Sequence, residues 1–190
     1  MSEIIFGDKK IFAIRYVPGY SVKESGTHFY AYLHFILAEQ VLGDENESCY
    51  LLTWLHSVKQ LSDRIKNHFD SFKNKEFINR SDSEIFEIVR KANQSEEEYN
   101  PKYLHLPVIE NSIWNSCFIS IDETTNAWLI TLTEENGNLK FIWQGWRPPC
   151  PEEKIDRLFS KVVSKDFFIT TVDECIKQVK SEYQNYPVVE

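Results

Sequence analysis

Residues 126–147, NAWLITLTEENGNLKFIWQGWR, decide the fold. Trp128, Ile130 and Leu132 alternate with Leu129, Thr131 and Thr133, and beyond Asn136-Gly137 the apolar Leu139, Phe141 and Trp143 alternate with Lys140, Ile142 and Gln144. A period of two puts one apolar row on one face of a strand, and Asn-Gly supplies the positive φ of a tight reversal, so the stretch reads as a β-hairpin. With Asn136-Gly137 at the turn, Leu132 faces Phe141, Ile130 faces Trp143 and Trp128 faces Gly145, a self-consistent register. Moving the turn to Gly137-Asn138 keeps the facing rows and changes only the pairing.

Towards the C-terminus, Pro148-Pro149-Cys150-Pro151 ends the sheet. Pro151 followed by Glu152 and Glu153 predicts a helix with Ile155, Leu158, Phe159 and Val162 inward. Asp166–Thr170 reads as a short strand, and Thr171 with Glu174 as a capping box before a terminal helix carrying Val172, Ile176, Val179 and Tyr183. Towards the N-terminus, 113–121 (IWNSCFISI) reads as a strand that makes the hairpin a three-stranded meander. The prolines and acids of 93–107 read as a loop. Ser81 and Glu84 cap a predicted helix over 82–93, and the stripe Leu51, Trp54, Leu55, Val58, Leu61, Ile65, Phe69 predicts a helix over 49–68.

Residues 28–38 read as a strand with Phe29, Ala31, Leu33, Phe35 and Leu37 on one face and His28, Tyr30, Tyr32 and His34 on a half-wet one. It is expected to pair with a strand over 4–17, which turns at Gly7-Asp8, carries Phe12, Ile14 and Tyr16 inward with Arg15 opposite, and closes at Pro18-Gly19 before a loop over 21–27. The fold class expected is α+β: a curled antiparallel sheet of about five to six strands with three to four helices packed on one face. At 190 residues the chain suits a single domain, 1–190, with a helical middle over about 45–107.

Hydrophobic residues make up 42% and aromatics 14%, enough to close a core without staples. The net charge of −8 argues against general binding to nucleic acid or to an anionic membrane, both of which want a cationic footprint, and it suits a basic protein partner. The Met-Ser-Glu start has no secretory pattern and no run of residues is long and apolar enough to span a bilayer, so the expected location is the cytoplasm. Cys49, Cys117, Cys150 and Cys175 are scattered without C-x-x-C and are expected to be free thiols; the five histidines lack ligand spacing, His28 and His34 standing about 20 Å apart along one strand. The six glycines are too dispersed for a phosphate loop, and no nucleophile elbow is present. No cofactor, metal or catalytic residue is expected, and the chain is not expected to be an enzyme.

The opening Ile5-Phe6-Gly7-Asp8-Lys9-Lys10-Ile11-Phe12-Ala13-Ile14 resembles the start of the immunity protein 42 family, in which I-F-G-D leads into an F-A-I strand. Ala127–Ile130 through Leu139–Trp143 is similar to that family's hairpin, and Phe167-Phe168-Ile169 before a helix with Val172 and Ile176 fits its end. The middle, 45–107, does not match and looks like a variable insertion. The resemblance implies an immunity protein of a bacterial polymorphic toxin system, which neutralises a cognate toxin domain, expected to be basic, by tight non-covalent binding. Two alternatives stay open: a small enzyme with a carboxylate or histidine site, and a scaffold module of a larger complex.

The candidate partner-binding residues lie where the chain is not committed to sheet and core. Asp44, Glu45 and Glu47 sit in the predicted loop 43–48, and Glu96, Glu97 and Glu98 in that over 93–107; the plainer reading of both is a solvated acidic surface. Tyr30 and Tyr32 form the second candidate, whose plainer reading is cross-strand packing.

Overall fold

A computed structural model describes residues 2–23, 26–93 and 100–189. The hairpin has the register expected of it. β7 (Trp128–Glu135) and β8 (Asn138–Gly145) pair Trp128 with Gly145, Ile130 with Trp143 and Leu132 with Phe141, through Asn136 and Gly137 at φ 51° and 80°.

The class is α+β, and the strands are shared between two sheets. One sheet runs β1 (Ile4–Asp8), β2 (Phe12–Lys23), β3 (Thr27–Leu37), β4 (Gln40–Leu42) antiparallel. β5 (Cys49–Tyr50) also pairs β3, and β10 (Val188–Val189) lies parallel to β2. The other runs β6 (Phe118–Ile119), β7, β8, β9 (Leu158–Val163). Between them lies one core, in which Phe12 meets Phe35 at 5.2 Å, Phe141 at 6.2 Å and Phe168 at 4.6 Å, ring centre to ring centre. Phe12, Ile14 and Tyr16 are fully buried, as their strand face predicts.

α1 (Leu51–Asn67) buries the expected stripe from Leu51 to Ile65, Phe69 standing half-buried in the 3-10 turn that follows, and α2 (Asp82–Lys91) begins at the expected capping box, Ser81 and Glu84 satisfying one another's backbone. Lys140 bridges Asp82 of α2 and Glu135 of the hairpin, each at 2.6 Å.

Four assignments are corrected. Residues 113–121 are not a strand throughout: α3 (Asn111–Cys117) precedes a two-residue β6, its Ile113 and Cys117 packing under Val89 and Ala92 of α2. The helix predicted after Pro151 is a single 3-10 turn, Glu152–Lys154, and Leu158–Val163 is an edge strand, because β8 offers a free ladder from Leu139 to Gln144. Asp166–Thr170 is not a strand, and Thr171 is not a cap. Both lie within α4 (Lys165–Glu182), whose Phe168, Val172, Cys175, Ile176 and Val179 bury one stripe, so tertiary packing overrides the β-branched run. Finally, β2 does not close at Pro18-Gly19 but continues to Lys23 through a bulge.

Trp143 of β8 is fully buried and stacks on Phe159 of β9 at 5.9 Å. Trp143→Ala removes the aromatic that couples these strands, and the expected loss is about 3–5 kcal/mol of unfolding free energy. Denaturant melts of both proteins check it; a change well under about 1 kcal/mol would mean that the site collapses around the smaller residue.

Candidate functional site

β2 and β3 build an aromatic surface on the side away from the core. Val17 pairs with Tyr32, one extra residue is then accommodated at Pro18-Gly19, and Tyr20 pairs with Tyr30. A bulge of this kind turns the strand over. Tyr20 would otherwise share the core face of Phe12, Ile14 and Tyr16; instead it stacks on Tyr30 at 5.2 Å and 18°. Only glycine fits at the bulge, since a β-carbon on Gly19 would stand 2.0 Å from the Tyr30 carbonyl oxygen. Tyr50 of β5 meets Tyr30 edge-on at 5.9 Å, and its hydroxyl lies 3.4 Å from His28 Nδ1.

The carboxylates stand around this surface. A cleft of about 860 Å³ has Tyr20, Tyr30 and Tyr32 on one side, Glu47 on a second, and Asp122 and Glu123 on a third. The last two arrive from the other sheet, at the turn Glu123–Ala127 that leads into β7. Thr124 donates its hydroxyl to Asp122 Oδ1 at 2.9 Å, and the Thr125 hydroxyl donates to the Asp122 backbone carbonyl at 2.8 Å, while Asp122 Oδ2 is shielded and has no partner among the described residues. Burial pushes the Asp122 carboxyl above the usual aspartate range; the Thr124 hydroxyl and the backbone amides of Thr125 and Thr124 oppose it, and the charge of Glu123 adds to it.

His34 closes one end of the surface. It is fully buried, with Arg15 Nη1 3.3 Å from its Nδ1 and the Asp44 carbonyl 2.8 Å from its Nε2. Arginine can only donate, so Nδ1 accepts and Nε2–H donates to Asp44: the ring is a neutral Nε2 tautomer. Arg15 is held in turn by Glu3 Oε2 at 2.7 Å, and its hydrogen bond, with its charge adding to it against burial, holds the Glu3 carboxyl below the usual range. A β-carbon on Gly43 would stand 2.7 Å from the His34 ring and 3.3 Å from Thr124 Oγ1, so the backbone of Gly43 packs closely against both His34 and the turn before β7.

Of the expected binding residues, Tyr30, Tyr32 and Glu47 come together in the cleft. Asp44 and Glu45 sit beside it, their backbone carbonyls accepting from His34 and Arg15, with Glu45 exposed and Asp44 half-buried. Glu96, Glu97 and Glu98 lie outside the described residues. His34 is a buried structural residue rather than part of a half-wet row. Tyr20, Asp122 and Glu123 were not anticipated: Pro18-Gly19 inside an alternating run was the available sign of a bulge, and Asp122-x-Thr124-Thr125 that of an anchored turn. All four cysteines are free and buried. Among the described residues no group of three or more His, Cys, Asp or Glu is arranged to hold a metal ion, and no helix is long and apolar enough to cross a membrane.

An α+β fold of this kind is found in the crystal structure of CdiI from Burkholderia dolosa, which matches 92% of this chain and 99% of its own with a TM-score of 0.56 and 14% sequence identity, a likeness of fold. No curated protein matches the chain by sequence. The sequence profile of immunity protein 42 matches residues 4–178, and the chain belongs to that family. It is a toxin-immunity protein.

The buried His34 has a consequence for acid stability. Burial first, with the charge of Arg15 adding to it, lowers its pKa below 6.5, against the hydrogen bond to Asp44 and the charges of Glu45 and Asp44. Above about pH 6.5 the ring is neutral in both folded and unfolded chains and its contribution is complete. As the pH falls from there towards the lower folded value, the unfolded chain takes up a proton that the fold refuses, and stability is lost. His34→Gln, neutral throughout, is expected to flatten this decline between pH 7 and pH 5 in urea-midpoint measurements. Parallel declines in the two proteins would assign the acid loss to other groups.

Proposed function

We propose that this immunity protein neutralises its cognate toxin by tight non-covalent binding in the tyrosine–carboxylate cleft, that the toxin offers basic side chains there, and that the two meet in the cytoplasm. The observation that carries the reading is the convergence of Tyr20, Tyr30 and Tyr32 with Glu47, Asp122 and Glu123 around one cleft. Tyrosine faces attract cations and fill interfaces at little entropic cost, and carboxylates give the charge-assisted hydrogen bonds that an arginine or lysine seeks. The unmatched Asp122 Oδ2 adds an acceptor whose burial penalty a bound cation would relieve. The net charge of −8 supports attraction of a basic partner at long range, and four unpaired thiols suit a reducing compartment. Family membership favours this over the enzyme and scaffold readings.

The test is co-expression of the protein with the toxin it counters: growth is expected to be restored and the two to co-purify. Growth restored with no complex between them would reject neutralisation by binding. Glu47→Lys with Glu123→Lys reverses two exposed charges of the cleft. The melting temperature is expected to hold while association at low salt slows by about tenfold or more and wild-type association itself slows as salt is added. A folded double variant that binds and protects as the wild type does would remove the cleft from the interface.

A further inference from the structure

The exposed side of α1 carries Thr53, Ser57, Gln60 and Arg64 at spacings of four, three and four, a single stripe of the helix. Thr53 lines the tyrosine–carboxylate cleft, whereas Ser57, Gln60 and Arg64 line a second cleft, of about 520 Å³, whose opposite wall ends at Ile121. The first cleft takes up that wall at the next residue, Asp122. The two are successive stretches of one trench along α1, about 16 Å long from Thr53 to Arg64. One end is acidic and aromatic; the other is occupied by Arg64.

Among the described residues, Arg64 has no carboxylate as counter-charge. The other half-buried arginines, Arg15, Arg80 and Arg90, meet Glu3, Glu84 and Glu87 within 2.7 to 3.3 Å. Among the described residues Arg64 meets no carboxylate: Nη1 donates to the Asn115 carbonyl at 2.8 Å, the guanidinium lies 5.0 Å from the centre of the Phe72 ring, and Nε is shielded from water with no acceptor among them. Asp63, on the same cleft, is engaged by Lys59. Neighbouring Cys117 has a thiol pushed up to about 12 by burial and is therefore neutral near pH 7. In a chain with 29 acidic residues against 21 basic ones, a half-buried arginine left unpaired while a cleft opens beside it is a vacancy for an oxyanion.

We propose that the Arg64 end of the trench receives a carboxylate side chain of the toxin, so that the docking segment carries a basic group for the tyrosine end and an acidic one about 16 Å further on. This rests on the toxin occupying the tyrosine–carboxylate cleft. A bipolar trench admits its partner in one direction only, since reversal sets like charges together at both ends.

Gln60→Glu tests it without cutting any existing contact of Arg64. The new carboxylate stands one turn before Arg64, in the favourable order for a helical Glu–Arg pair, and supplies the counter-charge from within. The fold is expected to be kept or tightened, and affinity for a catalytically inactivated cognate toxin domain, measured by calorimetry, to fall roughly 30-fold or more. Gln60→Ala reports what loss of the glutamine side chain alone costs, and the fall in Gln60→Glu is expected to exceed it by about tenfold or more; in Arg64→Glu binding is expected to be restored by a carboxylate-to-lysine change in the toxin. If Gln60→Glu binds as the wild type does while Glu47→Lys/Glu123→Lys has lost binding, the Arg64 subsite is overturned and the cleft reading stands. Loss in Gln60→Glu alone, with Glu47→Lys/Glu123→Lys binding as the wild type does, would overturn the tyrosine–carboxylate cleft and with it the two-ended docking, leaving only an anion subsite at Arg64.

Discussion

The packing of Phe12 is the interaction on which the rest depends. Its ring lies on β2, and it touches Phe35 on the neighbouring strand, Phe141 on the second sheet and Phe168 on α4. Three elements far apart in the chain are fixed by one side chain, and close packing leaves little room for any of them to slide. The cleft inherits that rigidity, because its tyrosines belong to one sheet and Asp122 and Glu123 to the approach to the other.

How much of this was legible depends on how local each signal is. The hairpin and its facing rows were legible because the alternation and the Asn136-Gly137 turn lie within twenty residues of chain, and α2 because Ser81 and Glu84 cap each other across one turn. Residues 151–170 were not. Pro151, Glu152 and Glu153 carry the chemistry of a helix start, yet it is spent on one 3-10 turn, because Leu158–Val163 gains a full ladder against β8. Phe167-Phe168-Ile169-Thr170-Thr171-Val172 has strand composition, yet a helix there places Phe168 and Val172 on one stripe facing the core. In both cases the deciding partner is remote, and a window of local sequence does not contain it.

The site divides the same way. The Tyr30/Tyr32 row followed from alternation along β3, whereas Tyr20 reached it only because Gly19 lets β2 approach the Tyr30 carbonyl oxygen so closely that a β-carbon would stand 2.0 Å from it. With the strand expected to close at Pro18-Gly19, Tyr20 was given no place on either face. Asp122 and Glu123 enter from a turn whose position is set by sheet packing and by the contact of Gly43 with Thr124, neither of which leaves a mark in the sequence around them. His34 shared the parity of the tyrosines and not their exposure, because the acidic loop folds back and its Asp44 carbonyl takes the ring's proton donor.

Charge and aromatic surface do different work in such a cleft. Glu47 and Glu123 are exposed, so water and salt screen them at contact, and their main effect is on the rate and direction of encounter. Strength has to come from groups that lose water on docking: the tyrosine rings and the shielded Asp122. Those groups are already in place. Tyr20 is stacked on Tyr30, Tyr50 is seated against both Tyr30 and His28, and Asp122 is tied down through Thr124 and Thr125. A partner therefore has few side chains to order, and the free energy of its contacts goes into holding the complex rather than into building the site.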